Sequence, residues 1–210
     1  MYKITYSSLG VIGTNCYTLI NDSTGEAILV DATGDLDSLL QGITEINADL
    51  KAVLLTHAHF DHIDAVDGVK KKFPKADVYI GENDEKLLGD PNLNLAMSFM
   101  GKNLVVKADK TVRDGEEIEL IGLNIKCIEV PGHTIGGMCY YIPDLKSLFD
   151  GDTLFRGSVG RSDFPTGNGE DLINNIREKL LTLPEDTNVF PGHDSPTTIG
   201  REKEHNYYFS

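Results

Sequence analysis

The chain has 210 residues, 40% of them hydrophobic, and its 33 acidic against 19 basic residues give a formal charge of −14. That length and apolar content suffice for one domain, residues 1–210, with its own core. The acidity argues against a nucleic-acid partner, because phosphate recognition draws on clustered Lys and Arg. No stretch reaches the apolar length of a membrane span, so no membrane partner is expected. Met1-Tyr2-Lys3-Ile4-Thr5-Tyr6 alternates like a strand where a secretory signal would be basic and then apolar, so the expected location is the cytoplasm.

Taken in chain order, alternating or apolar runs predict strands near 2–7, 15–20 and 26–30. The third ends in Asp31 and a Thr33-Gly34 turn, and a helix near 35–46 follows. A strand at Ala52-Val53-Leu54-Leu55 leads into Thr56-His57-Ala58-His59-Phe60-Asp61-His62, and a helix runs from about Ile63 to Phe73. Lys70-Lys71-Lys72, the only dense basic stretch, reads as a solvated face of that helix. Between 81 and 107 the pattern is least legible; Met97, Phe99 and Met100 read as core packing, with a lid over a substrate as the alternative. Strands are predicted near 117–121, 123–130, 138–142 and 146–150, then a helix from about Glu170 to Leu183 and a strand at 188–190. The reading is two mixed halves, each a sheet covered by helices. Cys16, Cys127 and Cys139 are odd in number and lack Cys-x-x-Cys spacing, so they read as buried, reduced core residues.

Residues 57–62 carry three imidazoles and a carboxylate directly after an apolar strand. Neutral imidazole nitrogens suit zinc, iron or copper, and a carboxylate can join them or bridge a second ion. A polar loop capping the next helix is the alternative, and four candidate ligands in six positions argue against it. The same construction recurs at Val130-Pro131-Gly132-His133, Phe149-Asp150-Gly151-Asp152 and Phe190-Pro191-Gly192-His193, each with a potential ligand just past a short apolar run. Ligands on loops at strand ends can converge on one edge of a sheet. Of the six histidines, only His205 lies outside these segments, in a polar tail.

In order and local context, His57, His59, Asp61, His62, His133, Asp152 and His193 resemble the HxHxDH…H…D…H signature of the metallo-β-lactamase superfamily, over essentially the whole chain. Gly151-Asp152-Thr153-Leu154-Phe155 and Gly157-Ser158-Val159-Gly160-Arg161-Ser162-Asp163-Phe164-Pro165 look like the glyoxalase II-related branch, the hydroxyacylglutathione hydrolases and their short bacterial relatives. Thr197-Thr198-Ile199-Gly200-Arg201-Glu202-Lys203-Glu204 is similar to the ending of those short relatives. The resemblance implies an α/β fold, a four-layer αββα sandwich with its site on one edge. It also implies two divalent ions, zinc first with iron or manganese as alternatives. His57, His59 and His133 would hold one, Asp61, His62 and His193 the other, and Asp152 would bridge them.

A single zinc already lowers the pKa of bound water to about 7, so water between two ions would supply hydroxide as the nucleophile. One ion would polarise the substrate carbonyl and stabilise the oxyanion. A thiolate, with a thiol pKa of roughly 8.5, departs without a strong general acid. The expected substrate is therefore a small acyl thioester, an S-2-hydroxyacyl thiol such as S-lactoylglutathione, with Asp61 and Asp152 in catalytic places. Asp31 and Thr134 are candidates for supporting a ligand, Asp31 by fixing a histidine tautomer; the alternative for Asp31 is a turn residue closing its strand. Asp64 and Asp67 sit where a helix start favours acids and are assigned no chemistry.

Two departures from the full-length family bear on the thiol. Full-length glyoxalase II enzymes carry a carboxy-terminal helical domain and a Lys-Phe-Tyr stretch for glutathione; here Arg161-Ser162-Asp163-Phe164 stands at that stretch and the chain ends soon after His193. Arg161 could pair with a substrate carboxylate or with Asp163. The competing function is a mononuclear iron persulfide dioxygenase of the same fold, in which His57, His133 and Asp152 match the iron ligands. A non-catalytic metal module and β-lactam hydrolysis rank lower.

Overall fold

Strands that are apolar at consecutive positions need cover on both faces. The computed structural model describes residues 1–210 and meets that need with two six-stranded sheets packed face to face and helices outside each. In the first sheet β1 (Tyr2–Leu9), β2 (Thr14–Asn21), β3 (Glu26–Val30), β4 (Asp49–Leu54), β5 (Asp77–Gly81) and β6 (Lys110–Val112) lie in that order. β1 to β3 pair antiparallel and β3 to β6 parallel. The second sheet is built from β7 (Glu117–Leu120), β8 (Leu123–Glu129), β9 (Met138–Ile142), β10 (Ser147–Gly151), β13 (Asn188–Pro191) and β14 (Thr197–Thr198). Its order is β14-β13-β10-β9-β8-β7, and only β10 and β13 pair parallel. A small ribbon of β11 (Leu154–Phe155) and β12 (Ser158–Val159) stands apart.

Period-two alternation sends neighbouring residues of one strand into different cores. On β3, Ala27 and Leu29 face a cluster shared with Leu39, Leu40 and Ile43 of α1 (Leu36–Glu45) and with Val66 and Val69 of α3 (Val66–Lys72). Ile28 and Val30 face the other way, into the inter-sheet core with Ile125, Tyr140 and Phe149. On β9, Tyr140 joins that inter-sheet core, while Cys139 and Tyr141 pack with Leu172 of α6 (Gly169–Asn175) and Ile199 of α7 (Ile199–His205). Each such side chain fully removed from water contributes about 1.5–3 kcal/mol. The layers are therefore helix, sheet, sheet, helix, the αββα arrangement.

Several elements differ from the sequence expectation. The helix expected from Ile63 to Phe73 is two pieces, α2 (Phe60–Ile63) and α3, because the backbone between them pairs sideways. Ala32 N–H donates to the His62 carbonyl at 2.8 Å and Ala65 N–H to the Ala32 carbonyl at 3.0 Å. Asp64 accepts the Thr33 hydroxyl at 2.6 Å and Gly34 N–H at 2.9 Å, so it fastens this break. The helix expected over 170–183 stops earlier: α6 passes into a π turn at Ile176–Leu180, with Leu181 N–H reaching back to the Ile176 carbonyl at 2.9 Å. Strands β5, β6, β11, β12 and β14 and helix α7 have no counterpart in the sequence expectation. The 81–107 segment holds α4 (Glu85–Leu88) and α5 (Ala96–Met100). Leu87, Leu88 and Val106 enter the first core, but Met97 and Phe99 stay 43% and 56% exposed, which corrects the core-packing expectation for those two. Cys16, Cys127 and Cys139 are free and buried. No helix is long and apolar enough to cross a membrane.

Candidate metal centre

Parallel strands end at a common edge, and side chains on the loops just past those ends meet there. β3 delivers Asp31, β4 the loop carrying His57 and His59, β10 Asp152, and β13 His193; Asp61 and His62 ride on the short α2, and His133 lies on the β8–β9 loop. Two glycines let the chain pass close enough. Gly151, at φ +54°, has Thr56 where a Cβ would sit, and a Cβ on Gly192 would meet Asp152 Oδ1 and, at 2.7 Å, His62 Cε1.

All seven donors predicted from the sequence come together at this edge. His59 Nδ1 lies 2.9 Å from His133 Nε2, which lies 3.2 Å from His57 Nε2. Asp61 Oδ2 lies 3.3 Å from both His62 Nε2 and His193 Nε2. Asp152 stands between the sets: its Oδ1 is 3.4 Å from His62 Nε2, and its Oδ2 is 3.6 Å from His133 Nε2 and 3.5 Å from His193 Nε2. Donors about a tetrahedral ion with bonds of 2.0–2.1 Å are spaced about 3.3 Å apart, so both sets have the dimensions of a coordination shell.

For three of the five rings the outer face explains which atom turns inward. His62 Nδ1–H donates to Asp31 Oδ2 at 2.8 Å, and His133 Nδ1–H donates to the Arg161 backbone carbonyl at 2.7 Å. Thr56 donates its hydroxyl to Asp31 Oδ2 at 2.8 Å, leaving a lone pair for His57 Nδ1–H at 3.1 Å. With protons outside, the Nε2 atoms of His57 and His133 present lone pairs to each other at 3.2 Å, an arrangement that a shared cation stabilises and a hydrogen bond cannot. His62 Nε2 and Asp152 Oδ1 are also buried without a hydrogen-bond partner. On these observations the donor set fits metal ions.

Titration follows the same logic. Burial, with the neighbouring histidines, pushes His57 well below its ordinary value and His59 down to about 3. Burial is the largest influence on Asp61 and Asp152 and works against their charge, yet His62 and the other histidines around them together outweigh it and hold both carboxyls down, Asp152 to about 2. His62 is raised despite burial, because Asp61, Asp31 and Asp152 surround it. Burial therefore keeps His57 and His59 neutral, while the carboxylates stay ionised and hold a proton on His62 that a cation at the site would displace.

Asp31 is buried at φ +57° and accepts three bonds, from Thr56 N–H, the Thr56 hydroxyl and His62, each at 2.8 Å. Arg161 forks onto Asp163 at 2.7 and 2.8 Å and lies 3.9 Å over the Phe164 ring. Thr134 donates to Asp84 at 2.8 Å instead of reaching a ligand. His205 is exposed, beside Glu204.

Sequence reasoning missed four supports. Asp84 is fully buried and also accepts Ala58 N–H at 3.1 Å and Gly136 N–H at 2.7 Å, so it ties the His57–His59 loop to the His133 loop. Thr14 donates to Asp61 Oδ2 at 2.9 Å. Asn15 and Tyr17 hold the Pro191 carbonyl at 3.1 and 2.7 Å, just before His193. An acid soon after an apolar run was a usable signal for Asp84, had β5 been recognised; Thr14, Asn15 and Tyr17 carry no signal outside the folded chain.

Over the donor cluster opens a cavity of about 480 Å3. Its far walls are Ile12, Leu95, Phe99, Phe155, Val159 and Phe164, with Arg161 at one side.

Metal donors of this composition at the edge of an αββα sandwich define a metal-dependent enzyme of the metallo-β-lactamase fold. The metallo-beta-lactamase superfamily model matches residues 9–193, and the chain belongs to that superfamily, as a metallo-hydrolase. It is 37% identical over 198 residues to hydroxyacylglutathione hydrolase GloC of Haemophilus influenzae, covering 93% of this chain and 92% of that one. The crystal structure of BLEG-1 B3 metallo-beta-lactamase superposes with a TM-score of 0.94 at 36% identity, covering 99% of this chain and 100% of that one. That of TTHA1623 in a di-iron-bound form does so with a TM-score of 0.83 at 31% identity, covering 97% and 99%.

Proposed function

We propose that this chain, a single cytoplasmic domain over residues 1–210, hydrolyses a small acyl thioester of the S-2-hydroxyacyl type. In this reading His57, His59 and His133 hold one divalent ion, Asp61, His62 and His193 hold a second, and Asp152 lies between the two. The observation that carries the reading is the convergence of seven donors into two sets that share Asp152. Likeness to GloC, a hydroxyacylglutathione hydrolase by name, supports the substrate class, and the di-iron form of TTHA1623 supports two ions.

Bound divalent ions supply an acidified water and a polarised carbonyl. The protein's own side chains fix geometry: Asp31, Thr56 and the Arg161 carbonyl hold the imidazole faces, and Thr14 holds Asp61. In the reaction a C–O bond forms from water, the C–S bond breaks, and the water's proton ends on the thiol. With a thiol pKa of roughly 8.5 the leaving group needs no dedicated acid, and the cavity offers no acidic side chain beyond Asp61 and Asp152.

Likeness to BLEG-1 favours β-lactam hydrolysis as a second reading. There the departing nitrogen has to be protonated as the C–N bond breaks, which the acid-poor walls make less suitable.

The test is thiol release from S-D-lactoylglutathione and from a neutral lactoyl thioester, with metal-quantified protein and Asp152→Ala as the blank. Turnover with about two ions per chain supports the reading. Nitrocefin hydrolysis without thioester turnover moves the second reading to first place. A single iron with oxygen uptake on a persulfide replaces both with the dioxygenase.

A further inference from the structure

Beyond the donor cluster, the only polar residue lining the cavity is Arg161. Of the seven apolar lining residues four are phenylalanines, and three of these form a connected surface. Phe164 meets His59 edge-on at 5.8 Å, Phe99 meets Phe164 edge-on at 5.7 Å, and Phe99 stacks on Phe60 at 5.5 Å. Among these lining residues Phe99 and Ile12 remain 56% and 54% exposed, so apolar surface of the cavity also faces water. Exposed apolar surface continuous with a cavity is the mark of a ligand site more than of folding.

Arg161 is already engaged. Its Nε and one terminal nitrogen fork onto Asp163, and its plane lies on Phe164, so a substrate carboxylate has to compete with an existing bidentate partner. No lysine lines the cavity. Glutathione brings two carboxylates; at most one can take Arg161, and the other finds apolar wall in a chain of net charge −14.

We infer that the part of the substrate lying over this wall is uncharged and apolar, an aromatic or branched aliphatic group, and that glutathione is not the preferred thiol. This rests on the thioester reading above and narrows it. Phe99, Phe164 and Ile12 set the preference by covering that group.

The experiment uses three S-D-lactoyl thioesters that share one acyl group and differ in thiol: glutathione, N-acetylcysteamine and benzyl mercaptan. The benzyl ester is expected to exceed the glutathione ester in kcat/KM by roughly tenfold or more, mainly through KM. Phe99→Ala, at a half-exposed position that leaves the fold intact, is expected to lower the benzyl ester several-fold more than the N-acetylcysteamine ester. Calorimetry with the inert probes benzyl methyl sulfide and S-methylglutathione reads the same preference without turnover. A preference for the glutathione ester, or an equal loss for all three esters in Phe99→Ala, overturns the inference. No turnover of any thioester, with benzyl methyl sulfide bound and S-methylglutathione not, upholds the apolar site and removes the thioesterase reading instead.

Discussion

On the floor of the cavity four of the seven donors are held by hydrogen bonds from outside the set: His57 by Thr56, His62 by Asp31, His133 by the Arg161 carbonyl and Asp61 by Thr14. On the wall, Phe99 and Ile12 are half exposed and the Arg161–Asp163 pair stands in solvent. The floor is built by buried hydrogen bonds from loops of both sheets, so a change there propagates. The wall is mixed: Leu95 and Val159 pack into or against buried clusters, while Phe99 and Ile12 keep much of their surface in water. On the proposed function the reaction type resides in the floor and substrate choice in the wall, and at the half-exposed Phe99 and Ile12 the wall can be altered with least cost to the fold.

The sharpest way to break this division is His59→Ala. We expect thiol release to vanish while far-UV circular dichroism and cooperative unfolding persist; retained turnover would put the reaction outside the floor. Beneath the floor, burial raises Asp84 from the ordinary 3.8 to about 6. A carboxyl whose folded pKa is raised contributes fully when protonated, below about pH 4, and the contribution is lost as pH rises through about 6. The loss is on the order of 3 kcal/mol. In urea titrations of metal-stripped protein, wild type should lose that stability relative to Asp84→Asn between about pH 4 and 6 and run parallel to it above about pH 7. A difference that does not change with pH contradicts the raised carboxyl. Asp31→Asn removes the charge behind His62, and competition with a chelator should register a loss of metal affinity of roughly 10–100-fold. Arg161→Gln is the mildest: the backbone carbonyl that holds His133 remains, and the urea midpoint should correspond to a change within about 0.5 kcal/mol.

The same division explains what could be read from the sequence. His57, His59, Asp61 and His62 fall within six consecutive positions, and His133, Asp152 and His193 each follow a short apolar run, so the donors announce themselves without tertiary information. The αββα order followed from the resemblance those donors carry. Asp84 escaped because β5 did, a five-residue strand ending in glycine. A hydrophobic cluster at 97–100 has no sequence mark for facing a cavity, so in the sequence Phe99 reads as core; only its contacts with Phe60 and Phe164 assign it. Arg161 was left between two partners, and the fold places it against both Asp163 and the cavity, with its backbone carbonyl on His133 as a third role invisible in the sequence.

The central claim is that one carboxylate is shared between two donor sets, and metal stoichiometry tests it most directly. Elemental analysis of wild type beside His193→Ala should give about two ions per chain for wild type and about one for the variant, with the His57, His59 and His133 set still filled. One ion in both proteins would contradict the two-set account.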